Sequence, residues 1–141
     1  MIQKSGSAVW KGGLKEGTGT VSTQSGVLTD EAYTFAKRFE GEGGTNPEEL
    51  IGAAHASCYS MALSMVLADF DLVADSLATT ATVTLDQVDG GFAVTKVHLE
   101  LEASIPGASE EDFLKAANGA KEGCPISKLL NAEITLNAKL V

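Results

Sequence analysis

A chain of 141 residues has room for one domain with a real core, and 44% hydrophobic against 21% charged residues excludes a disordered segment. A net charge of −9 argues against nucleic acid and anionic membrane as partners, since both need a basic surface. Met1-Ile2-Gln3-Lys4-Ser5-Gly6 has no apolar h-region, so no secretory signal is visible and the cytoplasm is the default location.

Residues 6–12 (GSAVWKG) and 17–24 (GTGTVSTQ) are short, rich in Thr, Val and Ser, and bounded by glycines. They read as strands in a hairpin-like arrangement, with Gly12-Gly13 and Gly26 as turns. Tyr33 to Phe39 reads as a further strand, with Tyr33, Phe35 and Phe39 on one face and Arg38 on the other. Glu40-Gly41-Glu42-Gly43-Gly44-Thr45 superficially suggests a phosphate loop. Two glutamates and no lysine make it electrostatically wrong for that, so it reads as a flexible link.

A long helix follows. Asn46 suits its N-cap, Pro47 its first turn, and Glu49 the acidic position of a capping box. The 19 residues from Leu50 to Ala68 contain no Asp, Glu, Lys or Arg. A helix apolar nearly all round must be buried on most sides. A membrane span needs about 20 mostly apolar residues. Here Gly52, His55, Ser57, Ser60 and Ser64 dilute the apolarity, neither flank is basic, and no aromatic belt is present. The run therefore reads as the central helix of a soluble fold.

Leu77 to Asp86 is β-rich, Asp89-Gly90 signals a hairpin, and Phe92 to Ala103 alternates. Ala93, Val97, Leu99 and Leu101 take one face, while Lys96, His98, Glu100 and Glu102 take the other. His98 thus reads as facing solvent. Ser109-Glu110-Glu111-Asp112 opens a second helix with an apolar stripe of Phe113, Leu114, Ala117 and Ala120 and with Gly123 at its C-terminal end. Cys124-Pro125 starts a short turn through Leu130, and Glu133 to Leu140 alternates as a last strand. No repeat or linker divides this order, which gives a single α+β domain over 1–141 with antiparallel pairing. One sheet and one further helix cannot cover the central helix on all sides. A homodimer that pairs two such helices between two sheets is the simplest solution.

Only two cysteines occur, Cys58 and Cys124, 66 residues apart and without CxxC spacing. With His55 and His98 as the only histidines, the usual zinc ligand patterns are missing. The pair reads as two free thiols or as a redox couple. A peroxide-reducing thiol needs an activated thiolate, a permanent cation and a resolving thiol. Arg38, the only arginine, suits the second role, and Glu48 could hold its guanidinium by a bidentate pair. Each has a plainer reading: Cys58 a small buried hydrophobe, Arg38 a surface residue, Glu48 a partner of the helix dipole. Cys58 lies ten residues after Glu48, roughly 15 Å along a straight helix. If Arg38, Glu48 and Cys58 meet, then either the helix breaks near Gly52 or Arg38 and Glu48 come from the partner subunit. Two rivals are a Cys–His hydrolase built on Cys58 and His55, and a non-catalytic dimer that binds an apolar ligand along its helices.

The segments GTVSTQSGVL (19–28), RFEGEGGTNPEELIGAAHASC (38–58) and GCPIS (123–127) resemble the osmotically inducible protein C (OsmC) family, relatives of the organic hydroperoxide resistance (Ohr) proteins. The RFEG block brings the chain nearer the first branch. The resemblance implies an intertwined dimer in which antiparallel sheets wrap two long central helices. It also implies a cysteine-based peroxidase needing no metal or flavin, with an organic hydroperoxide as substrate and an external dithiol as reductant. By position, Cys58 is then the peroxidatic thiol, Cys124 the resolving thiol in an intrachain disulfide, and Arg38 with Glu48 the activating pair.

Overall fold

The computed structural model describes all 141 residues, and the chain divides into two compact units, Met1–Leu50 and Ile51–Val141.

In the first unit, β1 (Gly6–Lys11), β2 (Thr18–Thr23) and β3 (Glu31–Tyr33) form an antiparallel sheet in that order. The hairpin read from the glycine-bounded runs is present, with Trp10 opposite Gly19 and Gly19 opposite Tyr33. That register explains the glycine. The Trp10 and Tyr33 rings lie 5.5 Å apart, and a methyl group on Gly19 would come within 2.6 Å of Tyr33 and 2.7 Å of Trp10. Apart from Gly17 and Gly19, no residue of this unit is buried within the chain.

The strand expected through Phe39 stops at Tyr33. Phe35–Phe39 is instead a short helix, α1, capped by Thr34, whose hydroxyl accepts from the Lys37 N–H at 3.2 Å. The Phe35 and Phe39 rings meet at 4.8 Å. Residues four apart share a face in a strand and in a helix alike, so the aromatic spacing could not separate the two. The threonine cap decides it.

The central helix, α2, runs unbroken from Pro47 to Ala68, passing straight through Gly52. Asn46 Oδ1 accepts from the Glu49 N–H at 2.8 Å, as its N-cap position requires. With 22 residues and a mean hydropathy of 1.5, α2 is long and apolar enough to cross a membrane. Within its own chain it buries a single stripe: Gly52, His55, Tyr59, Leu63 and Leu67. Met61 and Met65 are 75% and 71% exposed, on a face with Ala54, Ser57, Ser64 and Ala68. The chain by itself therefore does not bury this helix on most sides.

The second unit's sheet has the order β4 (Ser76–Val88), β5 (Gly91–Ser104), β6 (Glu133–Leu140). The Asp89-Gly90 hairpin joins β4 to β5, with Gly90 at φ 87°. The last pair departs from the antiparallel expectation. β6 runs parallel to β5, because α3 (Glu110–Gly123) and α4 (Pro125–Leu129) carry the chain back across the sheet first. A second correction concerns register. Thr84 pairs with Lys96 but Leu85 with Val94, so Thr95 bulges and Val94, not Ala93, packs on the core with Val97, Leu99 and Leu101. Opposite them, α3 contributes Phe113, Ala116, Ala117 and Ala120, while Leu114 is 38% exposed. α2 contributes Tyr59, Leu63 and Leu67, and the Tyr59 hydroxyl donates to Ala117 O at 3.0 Å. At Gly52 the helix passes so close to β4 that a methyl group would sit 3.1 Å from Ala81 O.

Candidate functional site

In the second unit, Cys58 sits mid-helix on α2, beside the buried stripe, and is partly exposed. Ser109 opens α3 by accepting from the Asp112 N–H. The helix closes on Cys124, whose N–H donates to Ala120 O at 2.9 Å. Cys124 is therefore the C-terminal cap of α3, where Gly123 was expected, and also the N-cap of α4, with Pro125 beginning the next turn. Fixed at that joint it is fully buried, and its Sγ lies 3.0 Å from Cys58 Sγ. Both are free thiols. Burial pushes the Cys58 thiol up from its ordinary value, and Cys124 adds to this, while the Ile126 N–H acts in the opposite sense. The apolar setting of α2 thus holds Cys58 protonated unless another charge intervenes.

His55 precedes Cys58 by one helical turn. It is fully buried, and its Nε2 lies 2.7 Å from Ser127 Oγ on α4, while Nδ1 has no partner. Burial lowers its basicity, so the imidazole is neutral near pH 7. The Cys58–His55 pair of a hydrolase is not formed, because the ring is turned to Ser127. Sequence reading missed Ser127, whose position 72 residues away gives no local signal. His98, expected in solvent, is held on the outer face of the sheet by Thr135 Oγ1 at 2.7 Å and Glu100 at 2.9 Å.

In the first unit, α1 presents Arg38 to the first turn of α2. Arg38 Nη2 donates to Glu48 Oε1 at 2.7 Å, and Nε lies 3.2 Å from both carboxylate oxygens. Its Cζ stacks 5.3 Å from the centre of the Phe39 ring. Asn46 Nδ2 also donates to Lys37 O at 3.3 Å, tying the helix start to α1. Glu48 therefore faces the arginine, while Glu49 meets the Asn46 cap through its backbone N–H. One edge of the guanidinium is spent on Glu48, which leaves Nη1 to meet another acceptor. Arg38 also borders a cavity of about 280 Å³ lined by Trp10, Leu14, Tyr33, Phe35 and Phe39. The two pairs thus belong to different units: Arg38–Glu48 to the first, Cys58–Cys124 to the second.

The chain is similar to known proteins along nearly its whole length. Peroxiredoxin OsmC of Escherichia coli (strain K12) is 55% identical over 139 residues, covering 99% of this chain and 97% of the relative. Organic hydroperoxide resistance protein OhrB of Bacillus subtilis (strain 168) is 29% identical over 123 residues, covering 86% and 88%. The crystal structure of an organic hydroperoxide resistance protein from Elizabethkingia anophelis superposes with a TM-score of 0.76 at 27% identity, covering 100% of this chain and 98% of that one. The family model described as OsmC-like protein matches residues 39–139. With a family model matched over residues 39–139 and a relative 55% identical along nearly its whole length, the chain belongs to the OsmC-like family.

Proposed function

We infer that this chain is a thiol peroxidase of the stress response that reduces organic hydroperoxides through Cys58 and Cys124. The observation that carries the reading is a pair of free thiols 3.0 Å apart although 66 residues separate them. The names of the relatives, peroxiredoxin and organic hydroperoxide resistance protein, point to the same substrate class. In the reaction, the Cys58 thiolate attacks the distal peroxide oxygen and the O–O bond breaks. The alkoxide takes a proton and leaves as alcohol, or as water from hydrogen peroxide. The resulting Cys58 sulfenic acid condenses with the Cys124 thiol, forming a disulfide and releasing water. An external dithiol then returns both thiols and is itself oxidised to a disulfide.

Arg38 supplies the positive charge that offsets burial of Cys58, and Glu48 fixes its orientation. Because α2 is unbroken, ten residues of helix rise, roughly 15 Å, separate Glu48 from Cys58 of the same chain. That length favours Arg38 and Glu48 acting from a second subunit. The exposed apolar face of α2 and the absence of a buried core in the first unit also favour a homodimer. The expectation of one domain over 1–141, and of the cytoplasm as its place, belongs to the same proposal.

One equivalent of cumene hydroperoxide followed by mass spectrometry tests the reading. An intrachain Cys58–Cys124 disulfide is expected. Persistence of both free thiols overturns it, as does equal hydroperoxide consumption by wild type and Cys58→Ser.

A further inference from the structure

One buried polar group of the second unit has no part in the chemistry above. His55 is fully buried, holds a single hydrogen bond, to Ser127, and leaves Nδ1 unpaired. As mere filling it would be a poor choice, since an apolar side chain could occupy the same space without stranding a polar atom. Its partner sits on α4, three residues after Cys124.

Two polar side-chain contacts fix that turn on α2: Cys124 Sγ to Cys58 Sγ at 3.0 Å, and Ser127 Oγ to His55 Nε2 at 2.7 Å. Ile126 and Leu130 also pack on the core, but apolar packing is non-directional and does not set the angle of a thiol. The first ends on the sulfur that peroxide oxidises, so it changes once Cys58 carries an oxygen. The second involves no sulfur and survives.

We propose that His55 is a positioning residue for the resolving step: through Ser127 it holds the Cys124 turn against α2 while Cys58 is a sulfenic acid. This rests on the peroxidase reading above. In the step itself the Cys124 sulfur attacks the Cys58 sulfur, the S–O bond breaks, and the oxygen leaves as water with the two protons. A misplaced attacking atom of this kind slows such a step by about 10- to 100-fold.

The test is rapid quenching of reduced protein with one equivalent of cumene hydroperoxide. Loss of the Cys58 thiol and appearance of the disulfide are followed separately, with dimedone trapping the sulfenic acid between them. Ser127→Ala and His55→Ala are expected to oxidise at Cys58 within about threefold of wild type, yet to close the disulfide about 10- to 100-fold more slowly and to accumulate dimedone adduct. His55→Gln, which can offer an amide near the position of Nε2, is expected to restore closure. Ser127 is only half-buried, so Ser127→Ala decides the matter if His55→Ala does not fold. Closure at the wild-type rate in Ser127→Ala overturns the inference, and so does equal slowing of both steps. Failure of the wild type to oxidise at Cys58 overturns the peroxidase reading instead.

Discussion

Replacing Arg38 by Ala is the sharpest probe of how Cys58 is activated. Burial, with Cys124 adding to it, lifts the thiol above its ordinary value of 9.0. At pH 7.4 a thiol of pKa 9.0 is only about 2–3% thiolate. A full positive charge 4–6 Å away lowers a thiol's pKa by about 1 to 3 units. On the proposal that Arg38 activates Cys58, its effect belongs at the lower end of that range, because its side chain is 36% exposed and Glu48 stands against it at 2.7 Å. Arg38→Ala should therefore raise the midpoint of Cys58 alkylation by about 1 to 2 pH units. The residual thiolate is intrinsically more nucleophilic, so ionisation alone costs only about 3- to 10-fold in peroxide reactivity. A loss well beyond tenfold would mean that Arg38 also stabilises the departing alkoxide. Arg38→Lys keeps the charge but not the two-nitrogen grip on Glu48, and should recover only part of the shift. The assay is the pH dependence of iodoacetamide labelling, beside stopped-flow peroxide kinetics, in a Cys124→Ser background. Coincident labelling midpoints with and without Arg38 would refute this account.

Three further outcomes follow from the same structure. Met61→Glu, on the exposed face of α2, should give a monomer by sedimentation and abolish peroxidase turnover, whereas mixing Cys58→Ser with Arg38→Ala subunits should regain part of it. Below its ordinary value of 6.5, His55 takes up a proton in the unfolded chain but not in the folded one. Stability should accordingly fall with acidification below about pH 6.5, by at most about 1.4 kcal/mol per pH unit from this group. Urea titrations should show that component missing from His55→Gln. Gly19→Ala forces a methyl group between Trp10 and Tyr33 and should destabilise the first sheet by about 1–3 kcal/mol, read from the Trp10 fluorescence transition.

Where the deciding interaction is local, the sequence was readable. Asn46, Pro47 and Glu49 mark the start of α2, Asp89-Gly90 marks the hairpin, and Glu48 is left over to meet the one arginine. Reading failed where two local patterns coincide or where the deciding partner is distant. The Phe35/Phe39 spacing suits a strand and a helix equally, and only the Thr34 cap separates them. The bulge at Thr95 leaves no mark in an alternating run until its partner strand is known. A parallel β6 follows from the crossover of α3 and α4, not from any residue within β6. Leu114 reads as part of the apolar stripe of α3, but it is 38% exposed and Ala116 is buried in its stead. The thiol pair could be suspected from its scarcity, but its 3.0 Å approach depends on tertiary packing.

The unequal burial of the two sulfurs gives the protein a built-in clock for local opening. A thiol reagent can reach Cys58 from solvent, whereas Cys124, capping two helices at once, is sealed until α4 lifts away. Its labelling rate in the reduced protein, divided by that of an unfolded peptide, therefore measures how often that joint opens. The same asymmetry gives a Cys58–Cys124 disulfide a direction. An incoming reductant meets the Cys58 sulfur, and Cys124 departs as the leaving group into the protein interior.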